Sequence, residues 1–445
     1  MTTITMEEAL TRAGAGAYQR RLMGIFGLVW AADAMQVLAI GFTAASIATT
    51  FHLQEGIAGA LQTGTTFFLG MLIGALGFGK LADRFGRRRI LLITVACDAV
   101  FGTLSIFAPS FELLLILRFL TGAAVGGTLP VDYAMMAEFL PARHRGRWLV
   151  LLEGFWAIGT LIVALAAWLI NLSGFPDAWR YIFAVTAVPA IIGIGLRLMV
   201  PESPLYLVRI DRQTEAKRII DQMLKKNRRL PLTPGAQIVS PPIEASKGIF
   251  SAGLRRRSIL ILSIWLLVSI SYYGVFTWMP AKLAAPVEAG GQGFGFVRGY
   301  GFLVMIALAQ LPGYALAAYG VERWGRKLTL ILFCLLSASG CLLFVLAPSA
   351  NLVACALLVM SFALLGTWGA LYAYTPELFP TKSRATAMGA AGAMARFGGL
   401  LAPTAVGSLV SHGLTLTIAS FAGLLLLAAF ASVFIDQETR QTSLS

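Results

Sequence analysis

Among the charged residues inside the long apolar stretches of this chain, Asp33, Arg118 and Arg396 stand near the middle of their stretches. A charge held in hydrocarbon costs several kcal/mol and persists mainly where it faces a cavity or a partner, so these three are the first candidates for chemistry. An aspartate that gains and loses a proton beside a reversible basic partner can couple a proton gradient to movement. That is the role expected of Asp33 with Arg118, a permanent structural ion pair being the plainer alternative. A guanidinium can grip a carboxylate through two parallel hydrogen bonds. That is the role expected of Arg396, against the alternative of a packing arginine bonded to backbone carbonyls. Asp98 is a second, lower-ranked proton site. Trp30, Trp156, Tyr272, Tyr273 and Phe276 lie at matching depth and can stack a flat heteroaromatic ring. Gln36 and Gln310 can hydrogen-bond a ring nitrogen or a hydroxyl. As a set beside an arginine, these side chains fit an aromatic carboxylate better than a sugar.

The elements that must position them are membrane helices. The composition is 58% hydrophobic and 13% charged, against roughly 25% charged in soluble domains. Apolar runs of about 20 residues, each long enough to cross the bilayer as a helix, recur from end to end. Twelve spans are predicted, at 23–50, 57–81, 89–108, 112–134, 148–170, 179–200, 257–281, 296–320, 327–347, 351–373, 384–410 and 413–435. No alternating ten-residue pattern suggests a membrane barrel. The first span is too long for a signal-peptide core and is expected to stay in the mature protein. At ~1.5 Å per helical residue, Asp33 lies roughly 15 Å deep, and Arg118 and Arg396 roughly 20 Å above the inner side. One acid and two bases therefore gather near the midplane.

The net charge of +14 is unevenly placed. Arg20 and Arg21 precede the first span. Lys80, Arg84, Arg87, Arg88 and Arg89 lie between spans 2 and 3, and Arg143, Arg145 and Arg147 between spans 4 and 5. The opposite connections at 52–56 and 348–350 carry no Lys or Arg. This bias places both termini in the cytoplasm and argues against a nucleic-acid partner. Cys97, Cys334, Cys341 and Cys355 all fall inside spans, so reduced packing residues are expected, with no disulfide or metal site. The three histidines are scattered. No phosphate-binding loop or nucleophile–base pairing is legible, so neither an ATP-driven pump nor an enzyme is expected, and no cofactor.

Two short patterns recur at one offset. Gly79-Lys-Leu-Ala-Asp83-Arg84-Phe-Gly86-Arg87-Arg88 is echoed by Gly320-Val-Glu322-Arg323-Trp-Gly325-Arg326-Lys327, and Glu138-Phe-Leu-Pro141 with Arg145 by Glu377-Leu-Phe-Pro380 with Arg384. Gly86 to Gly325, Glu138 to Glu377 and Arg145 to Arg384 are each 239 residues apart. The chain therefore reads as two copies of a six-helix unit. The expected organisation is a cytoplasmic N-terminus (1–22), a six-helix bundle (23–200), a cytoplasmic linker with short helices (201–256), a second bundle (257–435) and a cytoplasmic tail (436–445). Within the linker an amphipathic helix is predicted near 203–227 and a Pro-rich loop over 230–242. The longest outer connection, 282–295, is Gly-rich. Gly122, Gly126 and Gly127 in span 4, and Gly389, Gly392, Gly398 and Gly399 in span 11, offer smooth faces for close packing. Gly79, Asp83, Arg84, Gly86, Arg87, Arg88, Glu138, Arg145, Glu322, Arg326, Glu377 and Arg384 are expected to form a cytoplasmic gate of ion pairs made across the halves. Such pairs are individually weak, but together they can bias a two-state equilibrium.

The Gly79–Arg88 loop resembles the signature of the major facilitator superfamily, and its weaker copy stands where that family has it. Pro201-Glu202-Ser203-Pro204 and Arg118-Phe-Leu-Thr-Gly122 resemble its sugar-porter-like branch. Within the branch, Ala32-Asp33-Ala34-Met35, Leu152-Glu153-Gly-Phe-Trp156-Ala-Ile-Gly159, Tyr272-Tyr273-Gly-Val-Phe276-Thr-Trp278-Met-Pro280 and Gln310-Leu-Pro312-Gly313-Tyr314 look like the bacterial niacin transporters, relatives of the synaptic-vesicle glycoproteins and organic ion transporters. The resemblance covers essentially the whole chain. It implies an all-α membrane protein with twelve transmembrane helices in two six-helix repeats. It also implies that the acid of span 1 and the arginine of span 4 serve proton coupling. Glucose-type porters carry a glutamine pair where this chain has Tyr272-Tyr273. In close relatives an acid often follows Asp33 three positions on, where this chain has Gln36, so coupling either is lost, leaving facilitated diffusion, or rests on Asp33 alone.

The expected function is alternating-access transport in the bacterial inner membrane. The expected substrate is nicotinate or a similar small aromatic carboxylate moved with a proton, and a monomer suffices. The alternatives are a uniporter or symporter of another organic acid or a sugar and, from a different class, a non-transporting sensor or binding protein on a transporter scaffold.

Overall fold

The computed structural model describes residues 3–233, 236–239, 248–251, 253–284, 299–410 and 413–439, apart from the side chains of a few helical positions within them. Twelve helices of 20 residues or more cross it: α2 (Ala17–Thr50), α4 (Gln62–Phe85), α5 (Arg87–Ile106), α6 (Phe111–Glu138), α7 (Ala142–Leu172) and α8 (Ala178–Leu198) in the first half; α11 (Arg255–Ala284), α12 (Tyr300–Arg323), α13 (Arg326–Leu346), α14 (Ala350–Tyr374), α15 (Thr381–Val410) and α16 (Leu414–Val433) in the second. They correspond one to one with the predicted spans. The second span starts later than expected, because a short helix, α3 (Gly56–Ala60), precedes it and the chain bends at Leu61. Most of the Gly-rich outer connection, 285–298, falls outside the described residues.

The first half is tightest where α4 crosses α6. A Cβ on Gly122 or Gly126 would collide with the backbone of Phe67 or Met71, and one on Gly70 or Gly74 with the backbone of Phe119 or Ala123. Backbone-to-backbone contact of this kind replaces the hydrophobic driving force that lipid does not supply.

The 203–227 region, between the two bundles, is two helices, α9 (Pro204–Arg209) and α10 (Gln213–Lys226), not one. Asp211 breaks them with a φ of +60°. Part of the stretch expected to be loop is a strand. β2 (Gln237–Val239) pairs in parallel with β1 (Thr3–Thr5), Ile4 opposite Ile238. A helix too short for its own hydrophobic core, α1 (Met6–Ala13), follows β1 with a Thr5–Glu8 capping box. It buries Met6, Ala9, Leu10 and Ala13, while α10 buries Ala216, Ile219, Ile220 and Met223. Asn227 knots the strap together. Its amide donates to the Ala13 carbonyl at 2.9 Å and to Gln19 Oε1 at 2.8 Å, and its oxygen accepts from the Tyr18 N–H at 2.9 Å.

Candidate functional site

The midplane chemistry is carried by helices that are buried on nearly every face there. In α2 all residues from Val29 to Ala44 are buried, Asp33 and Gln36 among them. Asp33 is 1% exposed and Arg118 is fully enclosed. The expected contact between them is not the one formed. Arg118 donates to Gln36 Oε1 at 2.9 Å and lies between the rings of Phe67 and Phe183, 4.9 and 4.6 Å from their centroids. The acid whose charge acts on it is Asp98 on α5. Gln36 reaches Arg118 because Gly102, on α5, leaves room: a Cβ there would stand 2.8 Å from Gln36 Nε2. The neutral amide three residues past Asp33 thus takes the bond to the arginine through its oxygen, while its Nε2 has no partner. Asp33 faces a different set, in which Asp98 and Asp132 are the neighbouring acids and Arg197 and Arg396 the neighbouring bases. Its Oδ2 has no hydrogen-bond partner.

The expected aromatic set does gather. Trp156 Nε1 on α7 donates to the Tyr272 hydroxyl on α11 at 2.7 Å, a direct bond between the two halves. Tyr272 also packs on Phe276 at 4.8 Å and Tyr273 at 5.1 Å, and Tyr273 meets Phe68 of the first half at 4.7 Å. Trp30 faces Tyr133 at 6.3 Å, and Tyr133 faces Tyr372 of the second half at 5.7 Å. Trp368 closes the wall, 5.7 Å from Tyr272. Both amide atoms of Gln310 are buried without a hydrogen-bond partner. Arg396 is 7% exposed. One of its terminal nitrogens donates to the Gly392 carbonyl one turn back at 2.7 Å, and its Nε is unbonded. The fold-back depends on glycine, because a Cβ at position 392 would lie 2.6 Å from the guanidinium.

Several residues at this level were not among the expected site. Glu153, one turn before Trp156 on α7, is 3% exposed with Oε1 unbonded, and it lies beside Trp30 with Arg396 as its neighbouring cation. Asp132 and Arg197 form a fully buried ion pair between α6 and α8, with the guanidinium 4.5 Å from the Phe26 centroid. Each is a charge inside an apolar run, so the criterion that picked out Asp33 applied to them as well. Trp368 and Tyr372 carried no such mark, because aromatics are common in α14 and elsewhere.

The charged cluster expected to form the gate does assemble, but its described pairs lie within each half rather than across them. Arg87 pairs with Glu138, and Ser203 donates to the same carboxylate. Arg326 pairs with Glu377 at 2.9 and 3.0 Å, and Thr439 donates to it at 2.6 Å. The N-terminal end of α5 meets the C-terminal end of its neighbour α6 on the same side, and α13 meets α14 likewise, so each motif finds its partner next door. Arg88 is held by the Glu202 carboxylate at its N–H and by the Val200 carbonyl at its Nε. Arg145 donates to the Ala137 and Leu140 carbonyls and to Glu7 of α1 at 3.2 Å. Arg84 and Glu322 are exposed. Gly86 takes a φ of +95°. Gly79, Asp83 and Arg384 lie outside the described side chains.

The profile of the Major Facilitator Superfamily matches residues 23–403 and again 297–444. The chain is 34% identical over 437 residues to the niacin transporter NiaP of Acinetobacter baylyi, covering 96% of both chains. It is 31% identical to the synaptic vesicle 2-related protein of Xenopus laevis, covering 98% of this chain and 82% of that one. Among solved structures it superposes on the xylose transporter XylE from E. coli in a partially occluded inward-open conformation, with a TM-score of 0.74, 20% identity, and coverage of 96% of this chain and 100% of that one. With twelve membrane helices in two halves and a buried polar site between them, the chain belongs to the major facilitator superfamily, as a multi-pass membrane transporter.

Proposed function

We propose that this transporter moves nicotinate or a closely similar aromatic carboxylate together with a proton, from a site where Arg396 takes the carboxylate and the Trp156–Tyr272 wall takes the ring. The observation that carries the reading is the 2.7 Å bond between Trp156 and Tyr272. It sets an aromatic wall across the two halves beside the buried Arg396. A flat ring clasped there is held by both bundles at once, as alternating access about a midplane site demands. Gln310 supplies two unspent hydrogen-bonding atoms for a ring nitrogen. The niacin relatives agree with this substrate class, and fold alone would not choose it. In this reading Asp33 is the acid that answers the gradient, and Arg118 acts on it from the adjoining Gln36–Asp98 network rather than by direct contact. The gate works by holding each half's own helix ends together while the halves rock. The protein acts as a monomer in the inner membrane, with both termini cytoplasmic.

The test is uptake of labelled nicotinate into proteoliposomes with and without an inward proton gradient, in competition with benzoate, nicotinamide and glucose. Gradient-stimulated uptake blocked by carboxylates alone supports the reading. Competition by glucose would remove it. Asp33→Asn with full gradient-driven uptake would remove Asp33 from the coupling role.

A further inference from the structure

We propose that Glu153 is the internal counter-ion of Arg396, and that binding of a carboxylate substrate loads Glu153 with a proton. The inference rests on Arg396 as the carboxylate anchor. Glu153 sits on α7 one helical turn from Trp156, on the face that meets the second half. It is 3% exposed, and its Oε1 has no partner. The titratable groups facing it are Tyr133 of α6, Tyr272 and Tyr273 of α11, Tyr314 of α12, Tyr372 of α14 and Arg396 of α15. Arg396 is the one cation in that set. No ion pair joins Glu153 to Arg396 directly, and the guanidinium is turned back onto the Gly392 carbonyl with its Nε unspent. Acid and base therefore neutralise each other from opposite halves while leaving bonding capacity for a third group between them.

A buried charge needs a compensating one. In the empty carrier the Glu153 carboxylate compensates Arg396. A substrate carboxylate that bonds the guanidinium takes over that role and leaves Glu153 as an uncompensated anion. A hydronium ion from the side the site faces then gives its proton to a Glu153 carboxyl oxygen and becomes water. Release of the substrate on the other side returns the negative charge to Glu153 and the proton to water. The anion and the proton on Glu153 cross together, separately from any proton that Asp33 carries, and the set of Glu153, Arg396 and substrate has the same charge loaded and empty. Asp33 lacks this exclusive relation, because its surroundings include the Asp132–Arg197 pair and Asp98 as well.

Calorimetric titration of the purified full chain with nicotinate, and separately with benzoate, in two buffers of different ionisation enthalpy counts the protons taken up on binding. The wild type is expected to take up about one proton per carboxylate bound, and Glu153→Gln to lose that uptake while still binding. Proton uptake that persists in Glu153→Gln, or carboxylate binding without proton uptake in the wild type, overturns the proposal. Proton-linked binding of benzoate with no binding of nicotinate leaves it standing and removes nicotinate as the substrate. If Glu153→Gln does not yield a monodisperse protein, Glu153→Asp must keep the proton count and shift its pH midpoint. An unchanged midpoint overturns the proposal.

Discussion

The two halves are near-copies at the face that carries the repeated charged motifs and strangers at the midplane. Arg87–Glu138 with the Ser203 hydroxyl is repeated as Arg326–Glu377 with the Thr439 hydroxyl. Glu202 caps the backbone N–H at Arg88, and Glu438 caps those at Arg326 and Lys327. A Cβ on Gly86 would stand 2.6 Å from Glu202, and one on Gly325 2.7 Å from Glu438. At the midplane the likeness ends. Asp33, Asp98, Asp132 and Glu153 are all in the first half, while the second contributes Arg396, Gln310 and much of the aromatic wall. In the proposed reading the repeated part serves movement, which both halves must perform alike, and the unrepeated part serves recognition, which needs one asymmetric site.

That division can be broken at the midplane first. Arg396→Ala should weaken carboxylate binding roughly 100-fold, in line with loss of a buried charged contact, whereas Arg396→Lys should cost about tenfold. Equilibrium competition binding reads both. Unaltered affinity in the alanine variant would mean that the anchor lies elsewhere.

At the clamps, Glu138→Gln and Glu377→Gln should each slow uptake by about tenfold with little change in substrate affinity. The sharpening measurement is whether the two effects match. A loss confined to one half would show that the copies have diverged in use. Gly86→Ala and Gly325→Ala force a side chain into positive φ, +95° and +99°, and into a capping carboxylate. Each should lower stability by ~1–3 kcal/mol, read as melting temperature in detergent.

The smallest effect concerns a tether that only the second half has. Asp436 accepts from Arg257 at 2.9 and 3.1 Å, where the first half has Val200. This hydrogen bond and the arginine's charge lower the Asp436 pKa. The folded state therefore gains from it above the ordinary carboxylate range, and the gain disappears as pH falls through the lowered value. Asp436→Asn should remove a slight acid-induced drop in melting temperature. A pH profile identical to the wild type would show the tether to be idle, as exposed pairs often are.

Twelve spans, the duplication and most of the aromatic wall were legible because apolar length, one constant offset and aromatic depth are linear properties of the chain. Partner choice was not. The described motif pairs, Arg87–Glu138 and Arg326–Glu377, lie within their own halves, and a spacing of 239 residues is equally compatible with pairing across the halves. The second copy of the capping acid stayed hidden because Glu202 and Glu438 are 236 residues apart, and their neighbourhoods share little beyond an acid followed by a hydroxyl. Gln36 was read as a missing acid and as a substrate contact, whereas its bond to Arg118 depends on the room left by Gly102, which no local pattern shows. Glu153 stands within an apolar run as plainly as Asp33 does, and no local pattern ranks one above the other.

The parallel pairing of Thr3–Thr5 with Gln237–Val239 also sets an order of events during synthesis. The opening residues leave the ribosome long before their strand partner exists. They find it only after six spans and two linker helices have been made, so a chain stalled or cut before residue 237 leaves its first strand an open edge. A fusion placed ahead of Thr3 would press on that joint, and through Glu7 on Arg145, rather than hang free of the machine.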